Sequence, residues 1–83
     1  MEIVYDMVRS IADKGGSIKP THLLYKSNLS YKRLQEYVEE LKVKDLIREE
    51  KHEGHARFVL TDKGFTFLKD FKQLKQFQEA FGF

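Results

Sequence analysis

The sequence predicts a mainly α fold with a small β-hairpin, and three observations carry that reading. Apolar residues recur at three- and four-residue steps along segments of the first half of the chain. Two strand-like runs, 46–50 and 57–61, then flank a polar loop that contains a glycine, the pattern of a hairpin. After them the helical period returns, in a segment that holds most of the phenylalanines.

The first helix is expected over 2–14, where Ile3/Val4, Met7/Val8 and Ile11 form one apolar stripe. Gly15-Gly16 ends it, since glycine accepts the left-handed conformation common at helix C-termini. Ser17-Ile18-Lys19 reads as short and extended, with Ile18 inward. Pro20 keeps Lys19 extended and suits the start of a second helix over 20–26, whose apolar content is Leu23, Leu24 and Tyr25. Ser27-Asn28 makes a turn over Leu29. Ser30 then caps a third helix over 31–44 by accepting from a free backbone N–H, and Leu34, Val38 and Leu41 face the core. The hairpin follows, with Lys51–Ala56 as its loop. Thr61 or Asp62 caps a last helix over 62–80. The order is helix, short strand, helix, turn, helix, hairpin, helix. That is a winged helix-turn-helix, 1–61, with a C-terminal helix added, 62–83.

Composition narrows the function classes. At 83 residues without cysteine, the chain has a modest core and no disulfide framework or cysteine-bound metal. Self-association is the expected source of extra stability. The net charge is +2 although 34% of residues are charged, so charge alone argues only weakly for a nucleic-acid partner. No apolar run reaches the roughly 18–20 residues of a membrane span, and Glu2 and Asp6 break the layout of a signal peptide. A cytoplasmic, nucleoid-associated protein without a membrane partner is expected. No nucleophile–base pair or glycine-rich phosphate loop stands out, so neither an enzyme nor a cofactor is expected. His52-x-x-His55 with Glu53 offers too few ligands on a loop for a metal site.

The candidate nucleic-acid contacts fall in three places. The third helix starts with Ser30, Tyr31, Lys32 and Arg33, followed by Gln35. Lys and Arg neutralise phosphates, and Arg or Gln can read a base edge. Its outward face also carries Glu36 and Glu39, so an end-on approach by the first turn is expected. The plain alternative is a solvated face with a Lys32–Glu36 pair, worth a few tenths of a kcal/mol. Thr21, His22 and Lys26 on the second helix are further candidates. Lys51, His52, His55 and Arg57 lie at or beside the hairpin tip, where cations favour DNA backbone or minor groove.

The last helix carries an apolar stripe. Measured from Phe71, Phe67, Leu68, Leu74 and Phe81 lie within about 80° at 100° per residue, with Gln78 in the same sector and Phe77 at its margin. Phe65 points elsewhere, toward the winged core. So many exposed rings mark an interface. Phe67, Leu68, Phe71, Leu74, Phe77, Gln78 and Phe81 are therefore read as a homodimer surface, with Gln78 setting register.

The run Leu29-Ser30-Tyr31-Lys32-Arg33-Leu34, with Tyr37, Leu41 and Lys44-Asp45-Leu46-Ile47, resembles the small archaeal winged-helix DNA-binding proteins. Thr21-His22-Leu23-Leu24-Tyr25-Lys26 is similar to their second helix, with Leu24 where methionine is common. Phe58-Val59-Leu60-Thr61-Asp62-Lys63-Gly64 followed by Phe67-Leu68 looks like their closing motif. The resemblance spans about residues 3–80. It implies a transcriptional regulator or chromatin-associated protein that binds double-stranded DNA as a homodimer, often through an antiparallel coiled coil of C-terminal helices. The reading from another class is a winged-helix protein–protein module that does not bind DNA, favoured by Glu36, Glu39 and the small net charge.

Overall fold

A computed structural model describes residues 2–82. The elements are α1 (Glu2–Asp13), β1 (Ser17–Ile18), α2 (Pro20–Ser27), α3 (Tyr31–Val43), β2 (Ile47–His52), β3 (His55–Leu60) and α4 (Asp62–Ala80). The sheet is antiparallel with β3 central, in the order β1-β3-β2. Every expected helix is present and ends within a residue or so of its expected bound.

The local chemistry explains the ends. After α1, Gly16 N–H reaches Ile11 O at 3.0 Å and Gly15 N–H reaches Ala12 O at 2.9 Å. Those are the two bonds of a Schellman motif, which needs a left-handed residue after the helix. Gly15 supplies it with φ +79°. The same motif closes α3: Leu46 N–H bonds Leu41 O and Asp45 N–H bonds Lys42 O, with Asp45 at φ 59°. Leu41 and Leu46 are both buried beneath it.

The core lies where α1, α2, α3 and the sheet meet. Val8, Ile11, Leu23, Val38 and Leu41 are fully shielded, and Ile18, Ile47, Phe58 and Leu60 close it from the sheet side. Ile18 points inward as its position predicts. Tyr25 does not join the core; it is 83% exposed, because α2 turns only Leu23 fully inward.

The hairpin departs from the sequence reading. Residues 51–56 are not a six-residue loop. The strands continue through Lys51↔Ala56 to His52↔His55, leaving Glu53-Gly54 as a two-residue turn. Both turn residues have positive φ, 53° and 82°, the conformation that matches the right-handed twist of paired strands. Backbone pairing, indifferent to the polarity of these side chains, holds them in the ladder. Leu46 precedes β2 rather than opening it.

The start of α4 is tied to the wing base through Thr61, whose backbone N–H bonds Leu46 O at 3.1 Å and whose hydroxyl adds further bonds. Thr61 Oγ1 accepts from Gly64 N–H at 3.0 Å and donates toward Asp45 O at 2.6 Å and Leu46 O at 3.1 Å. Thr61, not Asp62, is thus the N-cap. Gly64 is required by proximity: a Cβ there would lie 2.3 Å from Leu46 O. The first half of α4 returns to the core, with Phe67 and Leu68 packed against it and Phe71 stacked on Tyr5. Phe65 lies over Gly16, where an added Cβ would come within 3.2 Å of its ring.

Candidate nucleic-acid interface

Ser30 has extended backbone geometry and its Oγ accepts from Arg33 N–H at 3.2 Å. This cap fixes where α3 begins, and so places Tyr31, Lys32 and Arg33 together on its first turn. All three are exposed. Arg33 is partly engaged: its guanidinium donates to the Tyr37 hydroxyl at 3.2 Å and lies 5.6 Å from that ring's centre. Gln35 is half-buried, toward α2 and β3.

Further along α3 the acidic residues take partners. The Lys32–Glu36 pair that belongs to the alternative reading of a solvated face is not formed among the described residues. Lys42 instead sits between Glu49 of β2 at 2.7 Å and Glu39 at 3.5 Å. The hydrogen bond to Glu49 pushes the Lys42 pKa up. Lys44 pairs with Glu40 at 2.8 Å, a hydrogen bond that lowers the Glu40 pKa. Glu36 remains exposed. The carboxylates of α3 thus begin at Glu36 in its second turn, and the first turn carries only basic charge.

The α2 residues sit in a cluster of positive charge that the sequence reveals only in part. Thr21 and Lys26 are exposed and His22 is half-buried. Partial desolvation, then the ammonium groups of Lys14, Lys26 and Lys19, lower the His22 pKa below 6.5. Lys14 and Lys19 thus share the His22 surroundings and join the candidate surface, to which the sequence reading assigned only Lys26. Lys19 stands one residue before Pro20, so spacing alone carries the signal of its proximity.

On the wing, strand alternation divides the predicted residues. The register puts Lys51 on one side of the hairpin, with Glu49, Ala56 and Phe58, and His52, His55 and Arg57 on the other. Lys51 shares the helix-facing side, since Phe58 belongs to the core. His52 Nε2 lies 3.5 Å from Glu50. Arg57 is not at the tip: it donates from Nε to Ser17 Oγ at 2.6 Å and to Ser17 O at 3.2 Å. It ties β3 to β1, because the longer strands carry it away from the turn. His55 and Ala56 line a groove of about 270 Å³ with Lys19, Pro20 and Thr21. The wing and the start of α2 therefore form one surface.

Of the residues read as a dimer surface, Phe67, Leu68 and Phe71 are half-buried and covered in part by their own chain, while Leu74, Phe77, Gln78 and Phe81 are exposed or nearly so. Phe77 and Phe81 pair with each other at 4.8 Å between centroids.

A capped third helix, a preceding helix joined by a tight turn, and a three-stranded wing define a winged-helix protein. Residues 1–79 match the family model described as winged helix-turn-helix, and the chain belongs to that family. No curated protein matches the sequence. Among solved structures it is similar to Sso10a-2, a DNA-binding protein from Sulfolobus solfataricus, at 18% identity and TM-score 0.79 over 96% of this chain and 81% of that one. It is also similar to a winged-helix DNA-binding protein from STIV, at 17% identity and TM-score 0.78, covering 92% and 87%. A third likeness is BpsR of Bordetella bronchiseptica, whose DNA binding is regulated by 6-hydroxynicotinic acid. There identity is 14% and TM-score 0.77, covering 92% of this chain and 58% of that chain. At these identities the likeness is one of fold. No helix among the described residues is long and apolar enough to cross a membrane.

Proposed function

We propose that the protein is a homodimeric, DNA-binding transcriptional regulator that acts in the cytoplasm on nucleoid DNA. The first turn of α3 enters the major groove, α2 and the wing hold the flanking backbone, and the C-terminal segment, residues 62–83, joins two copies. The observation that carries this reading is the segregation of charge on α3. Lys32 and Arg33 stand free of carboxylates on the capped first turn, while Glu39 and Glu40 are engaged by Lys42 and Lys44 further along. Such a helix favours phosphate at its start, where the free backbone N–H groups add to the attraction. The fold likeness to DNA-binding proteins supports the same reading.

The dimer rests on the exposed Leu74, Phe77 and Phe81, an apolar stripe that a second copy would cover. The test of DNA binding is fluorescence anisotropy of a labelled random-sequence duplex at about 50 and about 200 mM salt. Binding that weakens steeply with salt supports it. No binding at the lower salt sinks it, and favours a protein–protein module instead, for which the exposed Glu36 and Glu39 would be the surface to probe.

A further inference from the structure

Between the starts of α2 and α3 the surface is broken by a small apolar notch. It is lined by Pro20, Leu24, Tyr31, Leu34, Gln35 and Phe58, with Thr21 beside them, and its volume is about 60 Å³. Leu34 and Phe58, both core residues, form part of its wall. The notch is thus a gap in the covering of the core, opening beside the turn of α3 proposed to meet DNA. An apolar cavity of roughly 150 Å³ takes up benzene, so this one is too small for an aromatic ring and suited to a methyl group.

Gln35 supplies the polar half of the site. None of the side-chain hydrogen bonds among the described residues uses its amide, although the residue is half-buried at the notch. A carboxamide presents one donor and one acceptor side by side, the complement of adenine N7 and N6–H₂ in the major groove. The partner of adenine, thymine, presents a methyl group in the same groove. An A·T pair therefore offers both groups that the notch and its rim would accept. A G·C pair offers no methyl, and guanine shows two acceptors where the amide needs one donor and one acceptor.

We infer that the notch between α2 and α3 receives the C5-methyl of a thymine while the Gln35 amide reads the adenine paired to it. This rests on the proposed DNA binding and adds its first base preference. Tyr31 and Leu24 grip the methyl from the two helices; Gln35 selects the orientation of the pair.

The test uses two short duplexes, alternating dA·dT and alternating dA·dU, which differ only in that methyl and place it in every register. Anisotropy titration at one low salt concentration should show about fourfold weaker binding to the dA·dU duplex for each notch filled, the value of one buried methyl group. Leu24→Phe, which fills the notch, should bind both duplexes equally. Gln35→Ala should narrow the preference for dA·dT over dG·dC without removing it, because the notch still receives the methyl. Equal binding of dA·dT and dA·dU by the native protein overturns the inference while leaving DNA binding intact. So does a preference that persists in Leu24→Phe, since it would report DNA shape instead. Absence of binding to every duplex overturns the inference together with the reading beneath it.

Discussion

The ring of Tyr5 in α1 stacks on the ring of Phe71 at the middle of α4, with centroids 4.7 Å apart and planes inclined by 29°. Lys75 covers the same tyrosine from the next turn, 5.5 Å from its centre, and reaches Glu2 at 3.4 Å. The contact divides α4. Before it the helix is packed on its own chain; beyond it Leu74, Phe77 and Phe81 face outward.

That division separates two effects that the apolar stripe alone would merge. Phe71→Ala should destabilise the fold by about 1–2 kcal/mol, less than a fully buried Phe→Ala because the ring is half-exposed. Leu74→Asp with Phe77→Asp should leave thermal stability per protomer little changed and shift the assembly to monomers in light scattering. A double variant that stays dimeric at micromolar concentration would refute the proposed interface.

Lys32 is the cleanest probe of backbone binding, because no ion pair or hydrogen bond among the described residues holds it. Lys32→Ala should weaken binding alike on all sequences and lower the slope of log K against log salt by about 1 for each phosphate no longer neutralised. An unchanged slope would place Lys32 away from phosphate.

His22 predicts a pH dependence. Partial desolvation and Lys14, Lys26 and Lys19 hold its pKa below 6.5. The folded chain therefore binds fewer protons here than the unfolded chain. Stability on this account is lost as pH falls through 6.5 toward the lowered value. A phosphate beside the imidazole acts in the opposite sense and raises its pKa in the complex. Affinity should consequently rise as pH falls across the window between the free and bound pKa values. Comparing dissociation constants at about pH 7.5 and about pH 5.5 for the native chain and His22→Gln isolates this contribution. Superimposable profiles would remove His22 from the interface.

Gly64→Ala should cost on the order of 1–3 kcal/mol, the usual penalty for forcing extra volume into a packed site. The added Cβ meets the Leu46 carbonyl, whose oxygen cannot swing away without loosening Thr61, and Leu60 as well. Thermal denaturation measures it. A melting temperature within about a degree of the native one would mean the wing base yields more easily than its hydrogen bonds suggest.

The helices are legible in the sequence because their signals are local: the Ser30 cap, the glycine pair after α1, the apolar repeats. The hairpin reads too short there because Lys51, His52 and His55 carry little strand preference; their pairing is imposed by partners across the ladder and by a turn of only two residues. Arg57 illustrates a second limit. Its partner Ser17 lies in another strand, and nothing in its own neighbourhood distinguishes an arginine at a wing tip from one tying two strands together. Helical spacing likewise identifies Phe67, Leu68 and Phe71 as one face, yet only the fold reveals that α1 already covers part of it. The basic character of the α2 surface is understated by the sequence for the same reason, since Lys14 and Lys19 belong to the preceding segments.

The Thr61 hydroxyl, bonded at once to the start of α4 and to the Asp45 and Leu46 carbonyls at the foot of the wing, braces the joint between head and stem. In a pair of chains joined by their stems, the two heads would be locked in angular phase about the DNA axis. Such an assembly would work as a fixed-gauge caliper: moving two sites apart by half a helical turn, about 5 base pairs, would set the second head on the wrong side of the duplex.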